Sequence, residues 1–207
     1  MGVLACTPSL WDEIETARRE GRQPRVHPNG FLQLDLEPDT ASTGRHIAKR
    51  RLHIFDDRLP RQSVRTSIHD HIFDMASFVV KGTVLNDTYI AVPDDEGDLE
   101  IYQAQEEKCT ETNLVPTGKR VTLRLKHTEY VYMGESYDFP ALAFHDSRHE
   151  GDVAVTIMRK GLTHASTPRV LVPVDAEPDN SFSREDQDIG ALWALIEETF
   201  SRLARRA

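Results

Sequence analysis

The period of the apolar residues changes along the chain. Leu10, Trp11, Ile14 and Ala17 recur at helical spacing, Ser9 is placed to cap them and Gly21 to stop them, so a first helix is predicted over 8–20, followed by a loop over 24–30. From Phe31 to about Val174 the pattern is instead one of short β-rich runs, at 31–36, 47–55, 67–71, 76–80, 84–92, 99–104, 120–127, 129–133, 142–145, 153–159 and 169–172. Turn residues separate them, with hairpin turns predicted at 94–98 and at Thr117, Gly118 and Lys119. Many short strands at this spacing predict an all-β antiparallel sandwich or barrel. After a polar linker, Ile189, Leu192, Leu195, Ile196, Phe200 and Leu203 restore the helical period. They predict an amphipathic C-terminal helix over 183–206, with Ser183 and Asp186 as its capping pair and Arg202, Arg205 and Arg206 at its negative end. The organisation read from this is 1–30 for the N-terminal helix and loop, 31–174 for the β-domain and 175–207 for linker and helix. Both helices are expected to pack on the β-domain or on a second subunit, and the apolar stripe of the second makes a homodimer an expectation.

Composition narrows the class. The chain has 207 residues, 25 Lys+Arg against 34 Asp+Glu and a formal charge of −9, which argues against a nucleic-acid partner. No apolar run is long enough to span a bilayer, so no membrane partner is expected. Two cysteines, Cys6 and Cys109, make neither a disulfide framework nor a thiolate zinc site. Without a basic and then apolar leader, the expected location is the cytoplasm.

The informative stretch surrounds His69 and His71. In a strand, residues i and i+2 face one side, so the two imidazoles project together and Asp70 points away. Two neutral rings so placed can share a metal ion, although a His-x-His pair alone reads more readily as a solvated strand face. A second stretch runs from Gly134 through Tyr137, Pro140 and His145 to His149. Together the two resemble the paired motifs of the cupin superfamily. His69, His71 and Gly82 fall in register with the first motif, and Gly134, Pro140 and His145 with the second. Ser63 stands where the first motif opens on glycine, Met75 where it has its glutamate ligand, Leu142 where the second has its inner glycine, and His149 where it has asparagine.

The resemblance implies a cupin double-stranded β-helix, or jelly roll, over about 52–161, with the two helices outside it. It implies a metal centre of three histidines, His69, His71 and His145, similar to that of cysteine-dioxygenase-type cupins, with which the chain shares the string Ser-Ile-His-Asp-His. The expected cofactor is a divalent metal, Fe(II) first, with Mn, Zn or Ni as alternatives. Neutral ligands leave the ion its full charge, which favours a small anionic substrate. A non-haem Fe(II) dioxygenase is therefore expected; a redox-neutral isomerase or lyase, and a metal-free small-ligand-binding cupin, are the alternatives.

Strand parity and position supply the other candidates. Arg65 and Arg51 are candidates for binding an anionic substrate group, and Ser77 for lining the cavity. His149 and Tyr137 are candidates for moving a proton, and Asp74, next to Met75, is a candidate extra ligand. His53 reads as a satisfied structural histidine.

Overall fold

The computed structural model describes residues 6–37, 50–60, 68–107, 111–176 and 187–204. Helix α1 (Cys6–Arg19) leads into β1 (Arg25–His27), β2 (Phe31–Asp35), β3 (Arg50–Asp56), β4 (Phe73–Pro93), β5 (Leu99–Glu107), β6 (Glu111–Tyr132), β7 (Ser136–Phe139), β8 (Phe144–Thr163) and β9 (Arg169–Pro173), and α2 (Ile189–Ala204) ends the described chain.

Gly21 closes α1 as expected. It takes a φ of 75°, its N–H donates to the Arg18 carbonyl and the Arg22 N–H donates to that of Ala17, the paired bonds of a left-handed helix end. The start differs: α1 already runs from Cys6, so Ser9 is inside the helix and is not its cap. Helix α2 starts later than predicted, and its cap is Asp188, whose Oδ1 accepts from the Ala191 N–H at 3.0 Å. Ser183, Asp186, Arg205 and Arg206 lie outside the described residues.

The strands form one antiparallel sheet in the order β1-β2-β3-β8-β4-β6-β5-β9, with β7 also on β4. Several predicted short strands are halves of long ones, because the chain bends without breaking its ladder. In β4 the register to β8 shifts on both sides of Lys81, and Gly82 sits at the bend with a φ of 75°. A Cβ there would lie 2.4 Å from the Val153 carbonyl oxygen, so the close crossing of β4 over β8 needs glycine. The turn at 94–98 is present, closed by Gly97 N–H to the Asp94 carbonyl at 2.9 Å. The one predicted at Thr117–Lys119 is not a turn: these residues lie within β6, beside a register shift between Glu100 and Tyr102 of β5. The loop predicted at 24–30 contains β1, so the sheet starts earlier than expected.

The predicted strand at 67–71 is reduced to a bridge with a large topological effect. His69 pairs with His145 of β8 on one side and with Val170 of β9 on the other. The path β8-β4-β6-β5-β9 thereby returns on itself.

Side-chain alternation divides the first strands into two faces. Val26, Leu32, Leu34, Leu52 and Ile54 point to one side and pack with Leu10, Ile14 and Ala17 of α1 and with Leu192, Trp193, Leu195, Ile196 and Phe200 of α2. Each such apolar side chain contributes roughly 1.5–3 kcal/mol when fully buried. Arg18 ties the helices together, bonding Glu197 at 2.6 Å and lying 5.0 Å from the Trp193 ring. The apolar stripe of α2 is thus covered by the chain's own sheet. The other face carries Phe31 and Phe55, which join Phe73, Met75, Val79, Tyr137, Phe139 and Met158 in a second core. It is this second face that meets the histidines.

Candidate metal centre

Three imidazoles from two distant stretches of chain converge. The ligating nitrogens of His69, His71 and His145 lie within 4.8 Å of one another, and no other such group of three occurs among the described residues. Ring centroids are 4.6 Å apart for His69 and His145, 4.8 Å for His69 and His71 and 5.0 Å for His71 and His145. Three nitrogens on one ion at about 2.1 Å stand roughly 3–3.4 Å apart, so the set closes on an ion by side-chain rotation of an ångström or two.

Backbone ladders hold these rings in place. The N–H of His69 donates to the carbonyl of His145 at 3.1 Å, and the N–H of His145 donates to the carbonyl of His69 at 2.9 Å. Asp70 turns to the opposite side, as alternation requires, and is 1% exposed. Its carboxylate accepts from the Arg169 backbone N–H at 2.7 Å and from Arg169 Nε at 2.6 Å, which anchors the His-x-His segment to β9. Phe139 stacks on His145 with centroids 3.9 Å apart, and Phe73 stacks on His71 at 4.8 Å.

The donor chemistry fits a divalent ion. His145 Nδ1 donates to the Ala143 carbonyl at 2.9 Å, which leaves the Nε2 lone pair for a metal. Burial, reinforced by the neighbouring His69, pushes the His145 pKa down to about 3. Burial also lowers that of His71 well below the usual value, with His69 and His145 adding to the effect. Both rings are therefore neutral at pH 7, the form that binds metal.

The other sequence candidates fall in different places. Arg65 lies outside the described residues. Asp74 is a correction: its Oδ1 accepts from the Ala141 N–H at 2.9 Å, so the carboxylate braces the loop before β8 and is not in the histidine group. Met75, at the cupin glutamate position, is a buried core side chain. His149 is a second correction. It lies within β8, opposite Val84, so four extended residues place it about 13 Å along the strand from His145. Its ring is buried, with Nε2 3.7 Å from Asp57 Oδ1. Tyr137 is buried on β7 opposite Ser77, and burial raises its pKa. Ser77 is 2% exposed and packed, so it is core rather than an accessible wall. His53 is not a satisfied histidine: its Nε2 is buried without a hydrogen-bond partner, and burial, with Arg51 nearby, lowers its pKa to about 3.

Arg51 does face the site's side of the sheet, but it is engaged. Its Nε donates to Asp35 Oδ1 at 2.8 Å, and Arg25 Nη2 meets Asp35 Oδ2 at 3.2 Å. Burial alone would raise the Asp35 pKa, but Arg51 and Arg25 more than offset it and the net shift is downward.

Sequence reading placed a strand at 31–36, where β2 lies, but missed β1 and did not assign His27 or Asn29 to the site. His27 lies 6.1 Å from His69 between ring centroids and stacks on Phe31 at 4.4 Å. Asn29 Nδ2 lies 3.1 Å from His69 Nδ1. The signal was present in the alternation of Arg25 and His27 about Val26.

No family model and no curated protein matches this sequence. Among solved structures, the chain is similar to the polyketide cyclase RemF from Streptomyces resistomycificus, with a TM-score of 0.39 and 12% identity over 84% of this chain and 94% of that one. A cupin-like protein from Thermotoga maritima gives 0.37 and 14% identity over 80% and 96%. A structure of the DMSP lyases RdDddP and RnDddQII gives 0.38 and 14% identity over 68% of this chain but 52% of that one, so the likeness spans about half of the lyase's length. The chain's own curled antiparallel sheet, its flanking helices and its converging histidines define the class: a cupin-like jelly roll with a three-histidine cluster. No described helix is long and apolar enough to cross a membrane.

Proposed function

We propose that His69, His71 and His145 bind one divalent metal and that the protein is a metal-dependent cupin enzyme acting on a small anionic molecule, first of all a non-haem Fe(II) dioxygenase. The observation that carries this reading is the convergence of three imidazoles, two of which, His71 and His145, are kept neutral by their surroundings, with the ligating nitrogen of His145 oriented by its bond to Ala143. A bound metal supplies an open face at which a substrate heteroatom and a second small molecule can meet. The chain's own part is to hold three rings against Phe139 and Phe73, to limit water beside them and to leave no protein carboxylate on the ion.

Metal analysis of protein prepared without a histidine tag and reloaded anaerobically with Fe(II) tests the reading. About one equivalent is expected in the wild type and under about a tenth in His145→Ala, with the domain still folded. Equal metal in both would refute the ligand assignment. Oxygen uptake with candidate thiols, diketones and amino acids then separates a dioxygenase from a redox-neutral enzyme.

A further inference from the structure

Strands β1 to β3 carry a second recognition group on the face that holds the histidines. Arg25, Gln33, Asp35 and Arg51 share that face by alternation and by register, since Arg25 pairs with Gln33 and Asp35 with Arg51. His27, whose ring lies 6.1 Å from that of His69, and Phe31, stacked on His27, form the next same-face pair of the ladder. The side chains of Arg25, Asp35 and Arg51 are 28%, 25% and 19% exposed, so solvent reaches the group. Two guanidiniums converge on one carboxylate there, and with its amide turned the Gln33 oxygen accepts from both arginines.

We propose that this group takes the oxyanion tail of a two-ended substrate whose head meets the three histidines. The proposal rests on the metal reading above and adds a substrate class to it. At about 3.3 Å per residue, the Arg25–Gln33 pair lies about 7 Å along the sheet from His27–Phe31, and the Asp35–Arg51 pair about 13 Å. The substrate is thus an extended small acid, with its body lying over Phe31, behind which the buried His53 ring packs at 4.8 Å. Asp35 and Gln33 hold the guanidinium forks in place, and the forks offer the paired donors that a carboxylate or phosphate accepts.

The test uses the full chain loaded with Co(II), whose visible spectrum reports a carboxylate arriving at the metal, and dicarboxylates from succinate through adipate and suberate to sebacate. Affinity is expected to rise along the series and peak where the carboxyl groups span at least the roughly 7–13 Å between the tail group and His27–Phe31, about ten-fold tighter than the monocarboxylate of equal length. Arg25→Gln and Arg51→Gln should each remove that advantage with Co(II) affinity unchanged, and Asp35→Asn should increase it. Arg51→Lys, which keeps the charge and loses the fork, serves if Arg51→Gln fails to fold, and should fall between the two. Dicarboxylates no better than monocarboxylates at any length, or an advantage kept in both arginine variants, would overturn the proposal. If the wild type takes up no cobalt, the metal reading fails separately. Calorimetry of the metal-free chain with suberate then decides the tail site: binding that Arg25→Gln abolishes upholds it, and no binding overturns it.

Discussion

The backbone N–H of Leu142 donates to the carbonyl of His71 at 2.7 Å, and Leu142 makes this bond with a φ of 64°. It is the only non-glycine residue with positive φ among the described residues, and it stands where the cupin motif has glycine. The left-handed turn needed to bring the His145 loop against the His-x-His segment is therefore kept, at a cost of about 1–2 kcal/mol for a side chain with a Cβ. Leu142→Gly should relieve that cost and give back part of it through the freer unfolded chain, for a net gain of up to about 1 kcal/mol in urea unfolding, with metal content unchanged. A loss of more than about 1 kcal/mol would mean that the half-exposed leucine side chain packs more tightly than its surroundings indicate.

The pair Asp70–Arg169 should respond asymmetrically to mutation. The Asp70 side chain is fully buried, whereas that of Arg169 is 32% exposed. Arg169→Ala leaves a buried carboxylate without its counter-ion and should cost about 3–5 kcal/mol. Asp70→Asn leaves a cation that can turn to water, and should cost less than half as much. Equal losses would show that the bond geometry rather than the stranded charge sets the cost. Both variants should weaken metal binding, because the segment between His69 and His71 is anchored by this pair.

Asn29 should act on metal affinity through His69. If His69 binds the ion through Nε2, its Nδ1 carries the proton and the Asn29 amide presents oxygen to it, a change that needs only rotation of the amide. Asn29→Leu should then lower metal affinity about 10–100-fold with little effect on folding, and Asn29→Asp should restore most of it. Affinity unchanged in Asn29→Leu would remove Asn29 from the metal's surroundings.

The parts of this molecule legible in its sequence are those set by local period and by motif spacing. The helical repeats of α1 and α2, the β-rich middle and the two spaced histidine stretches were all readable. Strand ends were not, because β4 and β8 continue through bends at Gly82 and Gly151 that look like breaks in one dimension. The role of Asp74 was equally hidden. Whether that carboxylate turns to an ion or to the Ala141 N–H depends on how the chain folds back at Pro140, a contact between residues 67 positions apart. The contribution of β1 was missed because a three-residue strand before a Pro-Asn-Gly turn reads locally as loop, and only its pairing with β2 turns His27 toward the site.

Neutral buried imidazoles make the metal-free fold sensitive to acid. His53 and His145 are held to about 3, and His71 is lowered in the same direction. In the unfolded chain each titrates near its ordinary value of 6.5. As pH falls below that value the unfolded state takes up protons that the folded state refuses, so stability declines from about 6.5 toward 3 and is unaffected above it. Each ring contributes up to about 1.4 kcal/mol per pH unit, and three together about 4 kcal/mol, enough to unfold a domain of ordinary stability within two or three units. The lowered carboxyls of Asp35 and Asp56 lose their contribution only at and below their ordinary value of 3.8, so the fall between about pH 6 and 4.5 belongs to the histidines. Urea midpoints of metal-free protein across that interval measure it. His53→Phe, placed among Phe31 and Phe55, should flatten the slope by about a third, and a wild-type profile that is flat from pH 7 to 4.5 would show that these rings are hydrated and protonate normally in the folded chain.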